Sequence, residues 1–324
     1  MSDLSATKPA TSEPITIDCH YIKPNFAAAF LVVDNNHATF VENNTAKATP
    51  TLLNALSKYR IKADNIDYLI VTHIHLDHAG GSYALIKNCP NATILAHPRA
   101  ANHLIDPTKL VTSARKVYGD AAFEELYGEI KAIDASRVRI MQDGETLPFG
   151  SHSFNFIYTR GHANHHFCIY ESRSNGIFTG DSFGLAYPAL QTKGLFIFPS
   201  TSPTDFDPAE ARISIKKILD TGADKAYLTH FGKITNLPDA AAQLLEHLDF
   251  SERLLEESMR SAEPDSNLPA FCEKKLKRHF QNALEKTGLA SDPIVWEILS
   301  LDLKLNADGI AHVALKRRSK SQNS

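Results

Sequence analysis

Thr72-His73-Ile74-His75-Leu76-Asp77-His78-Ala79-Gly80-Gly81 is the stretch on which the fold reading turns. It follows Ile66–Thr72, an almost continuously apolar run. Such a run marks a strand covered on both faces. Four ligand-type side chains then fall within six positions, which packing alone explains poorly. In an extended backbone, positions two apart point the same way. His73 and His75 can therefore grip one ion, while Asp77 and His78, beyond the bend, can face a second. Imidazole and carboxylate suit zinc, iron or manganese. Gly80-Gly81 is expected where the backbone turns tightly into the next helix.

Working outward, short apolar runs alternate with turn signals. Strands are predicted at Ile15–Tyr21, Ala27–Val33 and Ala38–Glu42, the last two joined at Asp34-Asn35-Asn36. A helix is predicted from Thr49 or Pro50 to Tyr59, another from Ser82, and a strand at Thr93–Ala96. Helices at Thr108–Tyr118 and Ala121–Tyr127 precede strands at Val138–Met141, Glu145–Phe149, Phe154–Thr159, Phe167–Tyr170 and Ile177–Thr179. Residues 182–206 read as a long loop, and long loops in compact domains are often functional. Pro208–Asp220 reads as a helix and Ala226–Thr229 as a strand. Three lone polar residues stand just past predicted strands: His162, Asp181 and His230. Each alone would pass for a cap or a satisfied surface group. Beside the 73–78 cluster they become candidates for the remaining ligands of a two-ion site, since functional residues gather at strand ends.

After His230 the pattern becomes helical. Leu244, Leu248 and Leu255 share a side, as do Cys272, Leu276, Phe280 and Leu284, and a last helix should turn Ile294, Ile298, Leu301 and Leu305 inward. The expected organisation is a poorly ordered segment 1–14, a main domain 15–236 and a helical region 237–324 with a loose tail from Lys316. Four widely spaced cysteines and the absence of a signal-like start predict reduced thiols and a cytoplasmic setting. A net charge of −3 gives no drive toward nucleic acid or an anionic membrane. The basic runs Lys274-Lys275-x-Lys277-Arg278 and Lys316-Arg317-Arg318 read as solvated faces.

The ordered set His73-x-His75-x-Asp77-His78, Gly161-His162, Phe178-Thr179-Gly180-Asp181 and Thr229-His230-Phe231-Gly232 resembles the metallo-β-lactamase superfamily across about residues 15–235. The resemblance implies an α/β (α+β) fold: a four-layer αβ/βα sandwich with a C-terminal helical extension. It implies that His73, His75 and His162 hold one metal, that Asp77, His78 and His230 hold the other, and that Asp181 bridges them. Within the superfamily the chain resembles the glyoxalase II-like branch, in a subgroup carrying His97-Pro98-Arg99, His103-Leu104, Asp106-Pro107 and Gly161-His162-Ala163-Asn164-His165-His166. It departs there from the Gly-His-Thr-x-Gly-His of hydroxyacylglutathione hydrolases.

The chemistry implied is hydrolysis by a dinuclear centre, with Asp77, His78 and Asp181 in the catalytic set. Two divalent ions, zinc first and iron or manganese as alternatives, with two carboxylates, a bridging hydroxide and five neutral imidazoles carry a net charge of ~+1. Hydroxide is then available near neutral pH to attack a carbonyl, so no Ser or Cys nucleophile is needed. A thioester or lactone is the favoured small-molecule substrate. The alternatives are an iron-dependent redox protein, of the sulfur dioxygenase or di-iron oxygen-binding kind, and a metal-binding module without turnover. His97, Arg99, His103, His165 and His166 are candidates for supporting the ligands or touching substrate. Phe183, Tyr187, Phe196 and Phe198 read as an acyl-binding wall or, more often in such loops, as core. The C-terminal helices could cover the site or build a homodimer.

Overall fold

The computed structural model describes residues 12–201 and 205–322. The chain forms two compact units. The first runs to Tyr158 and adds His165–Gly180 and Thr221–Thr235; the second is Thr159–Asn164, Asp181–Asp220 and Asn236–Ser324.

The first unit contains two six-stranded sheets. One sheet orders β1 (Ile15–Asp18), β2 (Ala28–Asp34), β3 (His37–Val41), β4 (Ile66–Ile70), β5 (Thr93–Ala96) and β6 (Val138–Ile140) side by side. The other orders β12 (Gly232–Thr235), β11 (Lys225–Leu228), β10 (Gly176–Gly180), β9 (Phe167–Glu171), β8 (His152–Tyr158) and β7 (Thr146–Phe149). β3 through β6 pair parallel, and helices between them pack on one face through Leu52, Leu56, Leu85 and Leu104. The helices between these strands are α1 (Thr49–Tyr59), α2 (Leu76–Ala79), α3 (Ser82–Asn88), α4 (Pro98–Ile105), α5 (Thr108–Tyr118) and α6 (Asp120–Leu126).

Alternation along the strands divides the core. One set of side chains, Leu31, Phe40, Leu69 and Ile94 among them, packs under Leu52, Leu56, Leu85 and Leu104 of the helices. The opposite set, Phe30, Val32, Val41, Ile70 and Leu95, meets Phe154, Phe156, Phe167, Ile169, Phe178 and Tyr227 of the second sheet. The central strands are thus covered twice, which is why Ala28–Asp34 is buried at every position.

The second unit holds α7 (Pro208–Asp220), α8 (Leu237–Arg260), α9 (Leu268–Thr287) and α10 (Pro293–Gln322). The predicted α9 face, Cys272, Leu276, Phe280 and Leu284, is buried. Phe196 and Phe198 pack on Phe280 with ring centroids 6.0 and 5.3 Å away, and Tyr187 donates to Asp302. The loop aromatics are therefore core. The fold is the mixed α/β arrangement of two sheets and helices with a helical C-terminal extension, as expected.

Several expectations are corrected. On α10 the buried face is Val295, Leu299, Leu303 and Ile310, whereas Ile294 is 58% exposed. Apolar residues sit at both registers there, so periodicity did not choose the face. The tail from Lys316 is not loose: α10 continues to Gln322, and Arg318 donates to the Ser261 carbonyl and pairs with Asp265. The expected disorder of 1–14 falls on residues outside the described ones up to 11, and Glu13 pairs with Lys233 at 2.7 Å. α4 and β12 were not anticipated. Among the described residues no helix is long and apolar enough to cross a membrane.

α8 and α9 meet at a histidine pair, His247 Nδ1 to His279 Nε2 at 2.8 Å, with His279 stacked on Phe250. Burial pulls His247 down to about 3 and His279 down to about 4. Between these values and the ordinary 6.5 the unfolded chain binds protons that the folded chain refuses, so stability falls as pH drops through that window. Denaturation midpoints measured from pH 7 to 4 should fall, and less steeply for His279→Gln. Phe280→Ala should cost ~3–5 kcal/mol in chemical denaturation at neutral pH.

Candidate metal centre

Glu42 follows β3 directly, in the left-handed region at φ 67°. That conformation costs a non-glycine residue ~1–2 kcal/mol, and here it turns the chain beneath the segment that follows β4. Two consecutive residues then hold that segment through three hydrogen bonds. The Asn43 N–H donates to the His78 carbonyl at 2.9 Å, the Asn44 side chain to the Asp77 carbonyl at 3.0 Å, and the Asn43 side chain to Ser82 at 3.0 Å. The approach is so close that a Cβ on Gly81 would lie 2.4 Å from the Asn43 carbonyl oxygen. Gly80 and Gly81 have negative φ, so their need is for space and not for an unusual turn.

After β4 the chain bends at Thr72 and His73, is extended at His75 (φ −59°, ψ 147°), then makes one helical turn at α2 that carries Asp77 and His78. The ring centroids of His73 lie 4.5 Å from His75 and 4.0 Å from His78. His230, two residues past β11, brings Nε2 to 3.3 Å from Asp77 Oδ2, and His78 Nε2 lies 3.7 Å from the same oxygen. One ligand atom each of Asp77, His78 and His230 falls within 4.8 Å of the others. In the second unit, His162 Nε2 stands 3.4 Å from Asp181 Oδ2, both residues being buried.

The other ring nitrogens fix the protons. His230 Nδ1 faces the Phe26 carbonyl at 2.7 Å, and His162 Nδ1 faces the Ser200 carbonyl at 3.3 Å. His78 Nδ1 faces the Glu42 carboxylate at 2.9 Å. A carbonyl or carboxylate oxygen only accepts, so each Nδ1 carries the hydrogen and each Nε2 offers a lone pair. This is the arrangement in which histidines bind a metal. The donor set, imidazole with carboxylate, fits zinc or iron.

The supporting candidates fall out differently. His165 Nδ1 accepts from the Ile74 N–H at 3.4 Å, and buried His166 lies 4.9 Å from the His73 ring. A Cβ on Gly180 would meet His166 Nε2 at 2.5 Å, so the glycine makes room for that ring. His97 caps α4, accepting from the Arg99 N–H, and packs on Tyr158. The Arg99 side chain is exposed. His103 lines a cavity of about 10 Å³ beneath Ile74 and Leu76, room for a single water. Sequence reasoning missed Glu42, since a lone carboxylate ending a strand carries no motif. It also missed Tyr21, Tyr118 and Tyr127, whose phenols are pushed up by burial and by the nearby Asp77 charge, and so stay neutral donors. The four cysteines are free and buried; burial lifts Cys19 to about 12 and Cys89 to about 11, far from thiolate nucleophiles.

A family model described as the metallo-beta-lactamase superfamily matches residues 35–230. The chain is 31% identical over 144 residues to the metallo-beta-lactamase fold-containing protein ST1585 of Sulfurisphaera tokodaii, covering 43% of this chain and 51% of that one. It is 24% identical over 153 residues to a hydroxyacylglutathione hydrolase of Francisella tularensis subsp. novicida, covering 47% and 46%. The chain thus spans about half the length of these relatives. The crystal structure of ST1585 superposes with a TM-score of 0.63 at 22% identity, covering 92% of this chain and 97% of that one. A structure of the peroxy diiron species of the chemotaxis sensor ODP superposes at 0.51 and 16% identity, covering 71% and 91%.

Gly81→Ala should force the 42–45 segment and the ligand loop apart. The expected loss is ~1–3 kcal/mol in urea denaturation, with a parallel fall in bound metal measured by elemental analysis.

Proposed function

Because the chain belongs to the metallo-β-lactamase superfamily, we propose that it is a metal-dependent hydrolase of the glyoxalase II-like branch, cleaving a thioester or lactone. His73, His75 and His162 are assigned to one ion, Asp77, His78 and His230 to a second, and Asp181 to both. The observation that carries this reading is the grouping of Asp77, His78 and His230, whose rings keep their protons on Nδ1 against Glu42 and Phe26. The second unit repeats the design with His162 and Asp181.

When bound, the ions would supply hydroxide near neutral pH and polarise the substrate carbonyl. The protein's part is to present neutral imidazoles that need lose no proton, and to hold Asp77 and Asp181 where their charge offsets that of the cations. Phe26 packs edge-on against His230 and limits water around it. Tyr21 donates to Tyr127 at 3.4 Å, and both phenols stay neutral near Asp77, adding no second negative charge beside it. The relative named hydroxyacylglutathione hydrolase supports a thioester over a phosphodiester. The same donor set also suits iron, so the alternative reading is oxygen chemistry at an iron centre.

Elemental analysis of natively produced protein should find zinc at about two ions per chain, and thioester or lactone substrates should be turned over. Asp77→Asn and His230→Ala should each lower metal content and reduce kcat/KM by more than the ~10–100-fold typical of outer partners. Iron in place of zinc would move the assignment to oxygen chemistry; zinc-loaded protein inert toward both substrate classes would end it.

A further inference from the structure

We infer that Glu42 is a positioning residue that sets the tautomer and orientation of two metal-binding histidines at once, His78 directly and His73 through the Thr72 hydroxyl. The inference rests on the reading of His73 and His78 as ligands. The Glu42 side chain is 1% exposed. Its Oε1 accepts from His78 Nδ1 at 2.9 Å, Thr72 Oγ1 at 2.5 Å and Thr229 Oγ1 at 3.0 Å, and its Oε2 accepts from the Thr72 N–H at 3.2 Å.

The direction of each proton follows from counting. A hydroxyl has one hydrogen, and Thr72 gives it to a carboxylate that can only accept. Thr72 Oγ1 therefore faces His73 Nδ1, 3.0 Å away, with a lone pair, and that nitrogen must carry hydrogen. Both rings are left with no hydrogen on Nε2. Their centroids lie 4.0 Å apart, so one buried anion aligns neighbouring ligands that the two-ion assignment places on different metals. Thr229 is a different case: it bonds Glu42 but relays to no ring in this network.

Glu42→Gln keeps the volume but cannot accept everywhere. Whichever way the amide lies, its NH₂ group faces a donor among Thr72, Thr229 and His78. With the NH₂ at the Oε1 position the relay is broken or the His78 ring turns; with it at the Oε2 position it opposes the Thr72 N–H, and a neutral carbonyl replaces the anion that held both rings.

The test uses the full chain as Glu42→Gln, Thr72→Val and Thr229→Val. Zn²⁺ affinity is measured by competition with a chromophoric chelator, and the imidazole N–H signals of the metal-free proteins are recorded by ¹H–¹⁵N NMR. Glu42→Gln should lower Zn²⁺ affinity ~10–100-fold, the usual effect of losing an outer partner. Thr72→Val should weaken the site that holds His73 while leaving the His78 Nδ1–H signal in place. Thr229→Val should unfold more easily yet bind Zn²⁺ as the unsubstituted protein does, which a purely structural role for the network would not predict. Zn²⁺ binding unchanged in both Glu42→Gln and Thr72→Val would overturn the inference. So would Nε2–H tautomers of His73 and His78 in the metal-free unsubstituted chain, whatever its metal affinity. Should Glu42→Gln not fold, Thr72→Val decides. An unsubstituted chain that binds no Zn²⁺ while showing both Nδ1–H signals would sink the proposed function and leave the proton assignment standing.

Discussion

A carboxylate removed from water must have its charge met by donors, or the fold bears a penalty of several kcal/mol. Glu42 meets that constraint with four, drawn from the chain just after β4, from α2 and from the chain just after β11. Those three places lie on both sheets. The anion thus sits where the sheets come together at the ligand-bearing edge, and the surrounding loops take their positions from it. Replacing it with an apolar residue would strand two hydroxyls, an amide and an imidazole N–H, each a buried donor in need of a partner.

The sheets explain why the candidate ligands come from such distant parts of the chain. Parallel strands all leave the sheet at the same edge. β4 delivers His73 to His78 there, and β11, parallel to β10, delivers His230. Helical packing on one face and the second sheet on the other keep these strand ends rigid. Loops rising from rigid strands can then hold polar side chains close together, the left-handed backbone at Glu42 being one local cost of doing so.

The histidines show one solution repeated. Phe26, Ser200 and Glu42 offer three chemically different acceptors, two backbone carbonyls and a side-chain carboxylate, and each holds an imidazole in the same tautomer. Nothing about a histidine's place in the sequence selects its tautomer; the partner on its far nitrogen does. In the second unit the loop aromatics are buried against α9 instead of lining a wall.

Much of this was legible in the residues. The apolar run before Thr72, the spacing of His73, His75, Asp77 and His78, and the strand-end placing of His162, Asp181 and His230 identified the fold and the candidate ligands, because sheet strands and metal ligands both leave local, periodic marks. The faces of α9 were readable for the same reason; that of α10 was not, since its apolar residues occupy two registers and only packing chose between Ile294 and Val295. Gly81 looked like a turn glycine and proved to be a steric one, set by a strand end about forty residues earlier in the chain. Glu42 was silent. Its role comes from contacts 30, 36 and 187 residues away along the chain, and a hydrogen bond between distant residues exists only once the chain has folded. The sequence by itself determined which side chains are candidates to bind metal; the tertiary structure alone decided which nitrogen of His73, His78, His162 and His230 is left to do so.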